Sequence, residues 1–284
     1  MSRSTSSHSG LLLHPDLTRL SLNIMRCSIY TSFLVALLQH RSSSKRMPSE
    51  DVDGICGNSF ECGEKCRKIY DVFSKENGKS HWMAKYPSIA RTFQEYGVNS
   101  SIEIGVARGG LSYYLLSTVQ SLVVHHGIDS FGGGNSNDYV TKRRSASCEW
   151  ARAVLHHLSD FSCRFRLHKG FAAQLTSHFQ RESIDCILFD ADHSYGGIIT
   201  DIMNYAPIVR PGGLMIFDDY DELDFRGVHR AVRKFAQLNN LSIIKLNDDG
   251  NVMIVKPFNR PLNLTFGSST PYLVPYKTTL SPGG

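Results

Sequence analysis

Four short stretches of the 284-residue chain carry residue types whose spacing could do chemistry. In Ser101-Ile102-Glu103-Ile104-Gly105-Val106-Ala107-Arg108-Gly109-Gly110, a strand-like run delivers Glu103 and Gly105 to its carboxyl end. A helical pattern begins just after Gly110. Glycines there let the backbone pass close to a ligand, and the helix N-terminus offers N–H groups that lack intrahelical partners. The spacing is G-x-x-x-G rather than G-x-G-x-x-G, which disfavours pyrophosphate binding. Taken alone, the turn serves equally as a purely structural one. About one βα unit later, Gly127-Ile128-Asp129-Ser130 puts an acid at the end of a second strand. A carboxylate in that place can accept hydrogen bonds from both hydroxyls of a ribose, or it can cap a helix. Asp190-Ala191-Asp192-His193 follows a fourth apolar run, and Asp218-Asp219 ends a fifth. The latter pair is also open to reading as a helix cap.

These residues need a scaffold, and the hydrophobic pattern supplies one. Strands are predicted over Ser101–Gly105, Leu122–Asp129, Arg164–His168, Asp185–Asp190 and Leu214–Asp218. Helices are predicted over Leu111–Val119, Val140–His157, Ala172–Phe179, Ile198–Tyr205 and Val228–Gln237. Repeated β-α units force a parallel sheet with helices on both faces. The ending differs: Leu241–Leu246 and Asn251–Val255 are short β-rich runs joined by Asn247-Asp248-Asp249-Gly250, a hairpin signal. Ahead of the sheet, Cys66, Ile69, Tyr70 and Phe73, then Met83, Tyr86, Ile89, Ala90 and Phe93, recur at helical spacing and predict a helical cap. The expected organisation is a leader over 1–50, a cap over 51–98, the α/β domain over 99–258 and an extended tail over 259–284.

Composition narrows the classes. Apolar residues make up 41% and charged residues 20%, as in globular proteins. The net charge of +5 comes from the leader, where Asp16 is the only acid against six Arg and Lys residues up to Ser49. The remainder is close to neutral, so no nucleic-acid partner is expected. The apolar run Ser28–Leu38 is short for a membrane span, so no stable span is expected, and it is open to reading as a signal-anchor core or as an amphipathic helix folded onto the domain. The Ser- and Arg-rich leader suits an organellar address, with the cytoplasm as the primary expectation. Seven scattered cysteines suit a reducing compartment, and Cys56, Cys62 and Cys66 contain no C-x-x-C pair. A homo-oligomer is compatible with the sequence, which does not reveal it.

The glycine turn and the acid after the second strand resemble motif I and the following acidic position of class I S-adenosylmethionine-dependent methyltransferases. The likeness spans about 160 residues, from Asn99 to Pro257. It implies a Rossmann-like seven-stranded sheet, parallel with an antiparallel C-terminal hairpin and flanked by helices. It also implies that Glu103, Gly105 and Gly109 line the methionine end of the cofactor. Asp129, with Ser130 beside it, would hold the ribose, while Gly170 and Phe171 would lie near the adenine. Phe189-Asp190-Ala191-Asp192-His193-Ser194-Tyr195, with Arg210-Pro211-Gly212-Gly213 and Phe217-Asp218-Asp219-Tyr220, is similar to the metal-dependent macrocin and mycinamicin type of O-methyltransferase. By that resemblance Asp190, Asp218 and Asp219 bind magnesium or another divalent cation, Asp190 also touching the cofactor, and His193 is the general base. Elementary chemistry agrees: clustered carboxylates favour a hard cation, and histidine titrates near neutral pH.

The implied reaction is O-methylation of a small molecule such as a sugar or secondary metabolite. The competing readings are a nicotinamide-dependent oxidoreductase on a similar scaffold and a non-catalytic cofactor-binding module. Asp192 and Asp221 read as solvated loop acids. His125, His126, His156, His157 and His168 read as surface or packing residues. The acceptor pocket is expected from Gly63–Tyr96, Phe131–Val140 and Tyr220–Gly227, and the acceptor's identity is not encoded in any motif.

Overall fold

A computed structural model describes residues 85–131, 148–246 and 250–266. The leader, the Cys56/Cys62/Cys66 cluster, the first cap helix, the loop 132–139 and the tail beyond 266 lie outside the described residues. Among the described residues, no helix is long and apolar enough to cross a membrane.

The chain runs α1 (Tyr86–Glu95), β1 (Ser100–Ile104), α2 (Gly110–Thr118), β2 (Val124–Asp129), α3 (Cys148–His157), β3 (Phe165–Lys169), α4 (Ala172–Leu175), β4 (Ile184–Phe189), α5 (Tyr195–Tyr205), β5 (Val209–Phe217), α6 (Arg226–Asn239), β6 (Ile244–Lys245) and β7 (Val252–Val255). The seven strands form one sheet in the order β3-β2-β1-β4-β5-β7-β6. β3, β2, β1, β4 and β5 are parallel, whereas β7 runs antiparallel to both β5 and β6. This is the expected Rossmann-like sheet with its closing hairpin. Ile-Asp-Cys-Ile-Leu-Phe in β4 and Val-Met-Ile-Val in β7 are near-continuous apolar runs because the sheet is covered on both faces.

One face packs Leu111, Leu115 and Leu116 of α2 and Val154 of α3 against the sheet. The other packs Ile198, Ile202 and Tyr205 of α5, and Val228, Ala231, Val232 and Phe235 of α6, on Ile104, Phe189, Phe217 and Ile254. The α6 residues are the stripe read from the sequence. Each large side chain there gains roughly 1.5–3 kcal/mol from burial.

Several boundaries move, for local reasons. β5 starts at Val209 and runs through Pro211-Gly212-Gly213, because Gly212 N–H donates to Lys256 O at 2.9 Å and Lys256 N–H to Gly213 O at 2.8 Å. The predicted helix over Ala172–Phe179 is one α-turn followed by a 3-10 turn over Thr176–His178. β6 keeps only two residues, as short edge strands do. The second cap helix is α1, and its Ile89, Ala90 and Phe93 belong to the sheet's own core rather than to a separate layer. The tail is docked at its start: Leu262, Leu264 and Phe266 pack onto the α5–α6 side. Asn263 N–H donates to Asn239 Oδ1 at 2.6 Å. Cys163 is disulfide-bonded, where reduced thiols were expected. Cys186 is a free, buried thiol within β4, as read from its apolar surroundings.

Candidate active site

The strand register sets out the site before any side chain is considered. Ile104 pairs with Ile128 and with Phe189, and Phe189 pairs with Phe217. Gly105, Asp129, Asp190 and Asp218 therefore fall in one row at the carboxyl ends of β1, β2, β4 and β5. The ladder extends into that row: Gly105 N–H donates to Ile128 O at 2.8 Å, Asp190 N–H to Ile104 O at 2.9 Å and Asp218 N–H to Phe189 O at 3.1 Å. Strand order reverses between β1 and β4, which makes this the crevice where open α/β sheets bind ligands.

Gly105 has φ +100°, and a Cβ on it would lie 1.9 Å from Asp190 O. Only glycine fits there, because the β1 turn is pressed against the start of the β4 loop. Gly109 is the N-cap residue of α2. Asp129 draws the turn together: its Oδ2 accepts from Ala107 N–H at 2.8 Å and its Oδ1 from Phe131 N–H at 2.7 Å. Ser130 follows it, half-buried, and Gly170 N–H donates to Asp129 O at 3.0 Å. Phe171, 41% exposed, stands at the same edge.

Glu103 is placed differently from a ligand-facing acid. It is buried on the α2 side, where its Oε2 accepts from Ser112 Oγ and lies 2.9 Å from His125 Nε2. Ser101 Oγ meets His125 Nδ1 at 2.8 Å. Burial pushes the Glu103 carboxyl up, against the lowering pull of His125 and Ser112. His125, read as a packing residue, is the partner of this acid. Its signal was its position: Gly127 pairs with Glu103 in the register, so His125 lies two residues earlier on the neighbouring strand. His126 and His168 stack at 5.2 Å, as packing histidines do.

On the β4–β5 side the charges crowd. His193 Nε2 is 3.3 Å from Asp190 Oδ1 and 3.5 Å from Asp219 Oδ2. Asp190, His193 and Asp219 offer ligand atoms that all lie within 4.8 Å of one another. Asp219 has φ +56°, a left-handed turn that aspartate tolerates better than most residues. Burial disfavours the charged ring of His193, but its hydrogen bond to Asp190 and the charges of Asp190, Asp219 and Asp218 win, lifting its pKa to about 9. Burial first, and then repulsion from Asp190 and Asp219, push the Asp218 carboxyl well up. Phe225 stacks on His193 with centroids 4.3 Å apart. Gly227 lets α6 touch the histidine's loop, for a Cβ there would lie 2.4 Å from His193 O. Asp192 caps that loop, accepting from Ser194 N–H at 2.9 Å, and Asp221 pairs with Lys245 at 2.7 Å.

Residues 102–220 match a family model described as a methyltransferase domain. Over that span the chain is similar to methyltransferase domains. No curated protein matches the sequence. Among solved structures, an O-methyltransferase from Bacillus cereus in complex with SAH is 16% identical, with TM-score 0.48, over 72% of this chain and 94% of that one. The O-methyltransferase TomG from Streptomyces achromogenes, involved in tomaymycin synthesis and solved with SAM, is 15% identical, with TM-score 0.43, over 72% and 93%. A methyltransferase from Geobacter sulfurreducens is 14% identical, with TM-score 0.46, over 72% and 93%. No acceptor follows from likeness at that level.

Two residues beside this site, Lys85 and Tyr86, were not picked out for it from the sequence. Lys85 Nζ donates to Asp218 Oδ1 at 3.3 Å and to Asp219 Oδ1. Burial opposes its charge, but the two acids outweigh that and hold the ammonium above the ordinary lysine range. Burial and the nearby charges of Glu103, Asp190 and Asp218 push the Tyr86 phenol up. Its hydroxyl would lie 2.9 Å from a Cβ on Gly110. One weak signal existed for Lys85. It stands two residues before Pro87, at the N-cap of α1, the end of a helix where a cation is disfavoured unless acids meet it.

Proposed function

We propose that this domain transfers the methyl group of S-adenosylmethionine to a hydroxyl oxygen of a small molecule, a sugar or another secondary metabolite, with divalent-cation assistance. The convergence of Asp190, His193 and Asp219 beside the Gly105 turn carries this reading. The donor set suits a hard cation: three carboxyl groups, those of Asp190, Asp218 and Asp219, offer oxygen atoms around one small space. Asp190, Asp219 and Asp218 would hold the ion. When bound, the sulfonium cofactor supplies an activated methyl group and the cation supplies positive charge at the acceptor oxygen.

The chain's own residues do the rest. As the acceptor oxygen bonds to the methyl carbon, the carbon–sulfur bond breaks and its electron pair stays on sulfur. The hydroxyl proton passes to His193 Nε2. Asp190 and Asp219 flank the ring and stabilise the imidazolium, while Phe225 and the Gly227 contact fix its orientation. Asp129 and the β1 turn orient the nucleoside, and holding both reactants in line supplies most of the remaining acceleration. With a pKa near 9, His193 carries its proton at neutral pH. Neutralising Asp190 and Asp219 removes the field that keeps it there.

Calorimetry with S-adenosylhomocysteine and NAD tests the cofactor, with binding expected only for the first. Methyl transfer to a panel of hydroxylated acceptors, with and without EDTA, tests the rest. Activity lost in EDTA and restored by magnesium is expected. Full activity in excess chelator would remove the metal from this scheme.

A further inference from the structure

The acid pair after β5 already holds a cation of the protein's own, and the family pattern gives no reason for it. Lys85 reaches across 133 residues of chain to place Nζ on Oδ1 of both Asp218 and Asp219. It does so from the N-cap position of α1, where an ammonium opposes the positive end of the helix. Lys85 and Asp219 are both buried, at 9% and 3% exposure. A buried ammonium without acids would be strongly disfavoured, and so would the adjacent carboxylates without a cation. The ion pair is therefore reciprocal.

An ion bound through Asp190, Asp219 and Asp218 takes oxygen atoms at about 2.0–2.6 Å. Those carboxylates cannot turn fully onto the ion while two of their oxygens serve Lys85. Lysine has a flexible four-carbon stem that can carry its charge out to water. We infer that Lys85 is a built-in counter-ion that holds the Asp218–Asp219 pair in the metal-free protein and is displaced when a divalent cation binds. This rests on the metal-assisted reading above. Lys85 then sets the concentration at which the site loads: it keeps the acids folded and apart from adventitious ions at low metal, at the expense of affinity.

The test measures binding rather than turnover. Manganese(II) affinity of the full chain is read by calorimetry and by the loss of free-ion electron paramagnetic resonance signal, for wild type, Lys85→Met and Lys85→Arg. Lys85→Met is expected to bind manganese at least tenfold more tightly than wild type, and Lys85→Arg no more tightly. Equal affinity in wild type and Lys85→Met overturns the counter-ion role and leaves the metal reading standing. No manganese binding by either protein overturns both. Wild type alone decides the matter if Lys85→Met does not fold. Reductive methylation followed by mass spectrometry should find Lys85 protected in EDTA and modified in saturating manganese. Equal modification in the two conditions overturns the proposal.

Discussion

The two halves of the carboxyl edge solve the same problem in different ways. On the β1–β2 side, the acid that closes β2, Asp129, accepts from main-chain N–H groups of residues 22 positions before it and 2 after it. On the β4–β5 side, Asp190, Asp218 and Asp219 are held by side chains, His193 and Lys85. Backbone donors are fixed by the fold and carry no net charge, so the first half is rigid and close to balanced. Side-chain partners are charged, movable and titratable, so the second half is tense and responsive. Division of labour follows: the first half suits holding a cofactor in one pose, and the second suits moving a proton.

Three substitutions bear on that contrast, in falling order of expected effect. His193→Ala should lower methyl transfer by roughly 10²–10⁴-fold, the usual worth of a general base. It should leave S-adenosylhomocysteine affinity unchanged. In the metal-free protein the His193 ring should lose its proton as pH rises through about 9, and a bound divalent cation should move that titration to lower pH. A titration that the cation leaves unmoved, or an alanine variant that turns over normally, would make the second half no more chemical than the first. Gly105→Ala comes next. A clash at 1.9 Å with Asp190 O, added to a positive φ, should destabilise the fold by about 3 kcal/mol, measured by urea denaturation. Retained stability would mean the turn is looser than its contacts imply. The smallest effect belongs to Asp129→Ala, which should weaken S-adenosylhomocysteine by roughly 1–3 kcal/mol in calorimetry. An unchanged dissociation constant would restrict Asp129 to bracing the Ala107 and Phe131 amides.

The same contrast explains what the sequence could tell. The sheet was legible because strands buried on both faces are written as continuous apolar runs, and the α6 stripe because helical burial has a period. The row of Gly105, Asp129, Asp190 and Asp218 was legible because each closes such a run. Lys85 was not: nothing local links it to acids 133 and 134 residues away, and only the packing of α1 against α2 brings them together. Nor was the orientation of Glu103. A residue's place on a strand fixes its face, but whether that face carries ligand or a buried Ser112–His125 pair depends on what α2 and β2 present. β5's early start was hidden by Pro211-Gly212-Gly213, which reads as a stop and here runs on as strand.

The closing hairpin reaches further than the sheet edge it covers. Tyr220 N–H donates to Gly250 O at 2.8 Å, which ties the residue just after Asp219 to the turn between β6 and β7. The acids' spacing is thus anchored from outside the crevice, and insertions or deletions in that distal connection would shift it without altering any residue of the crevice itself.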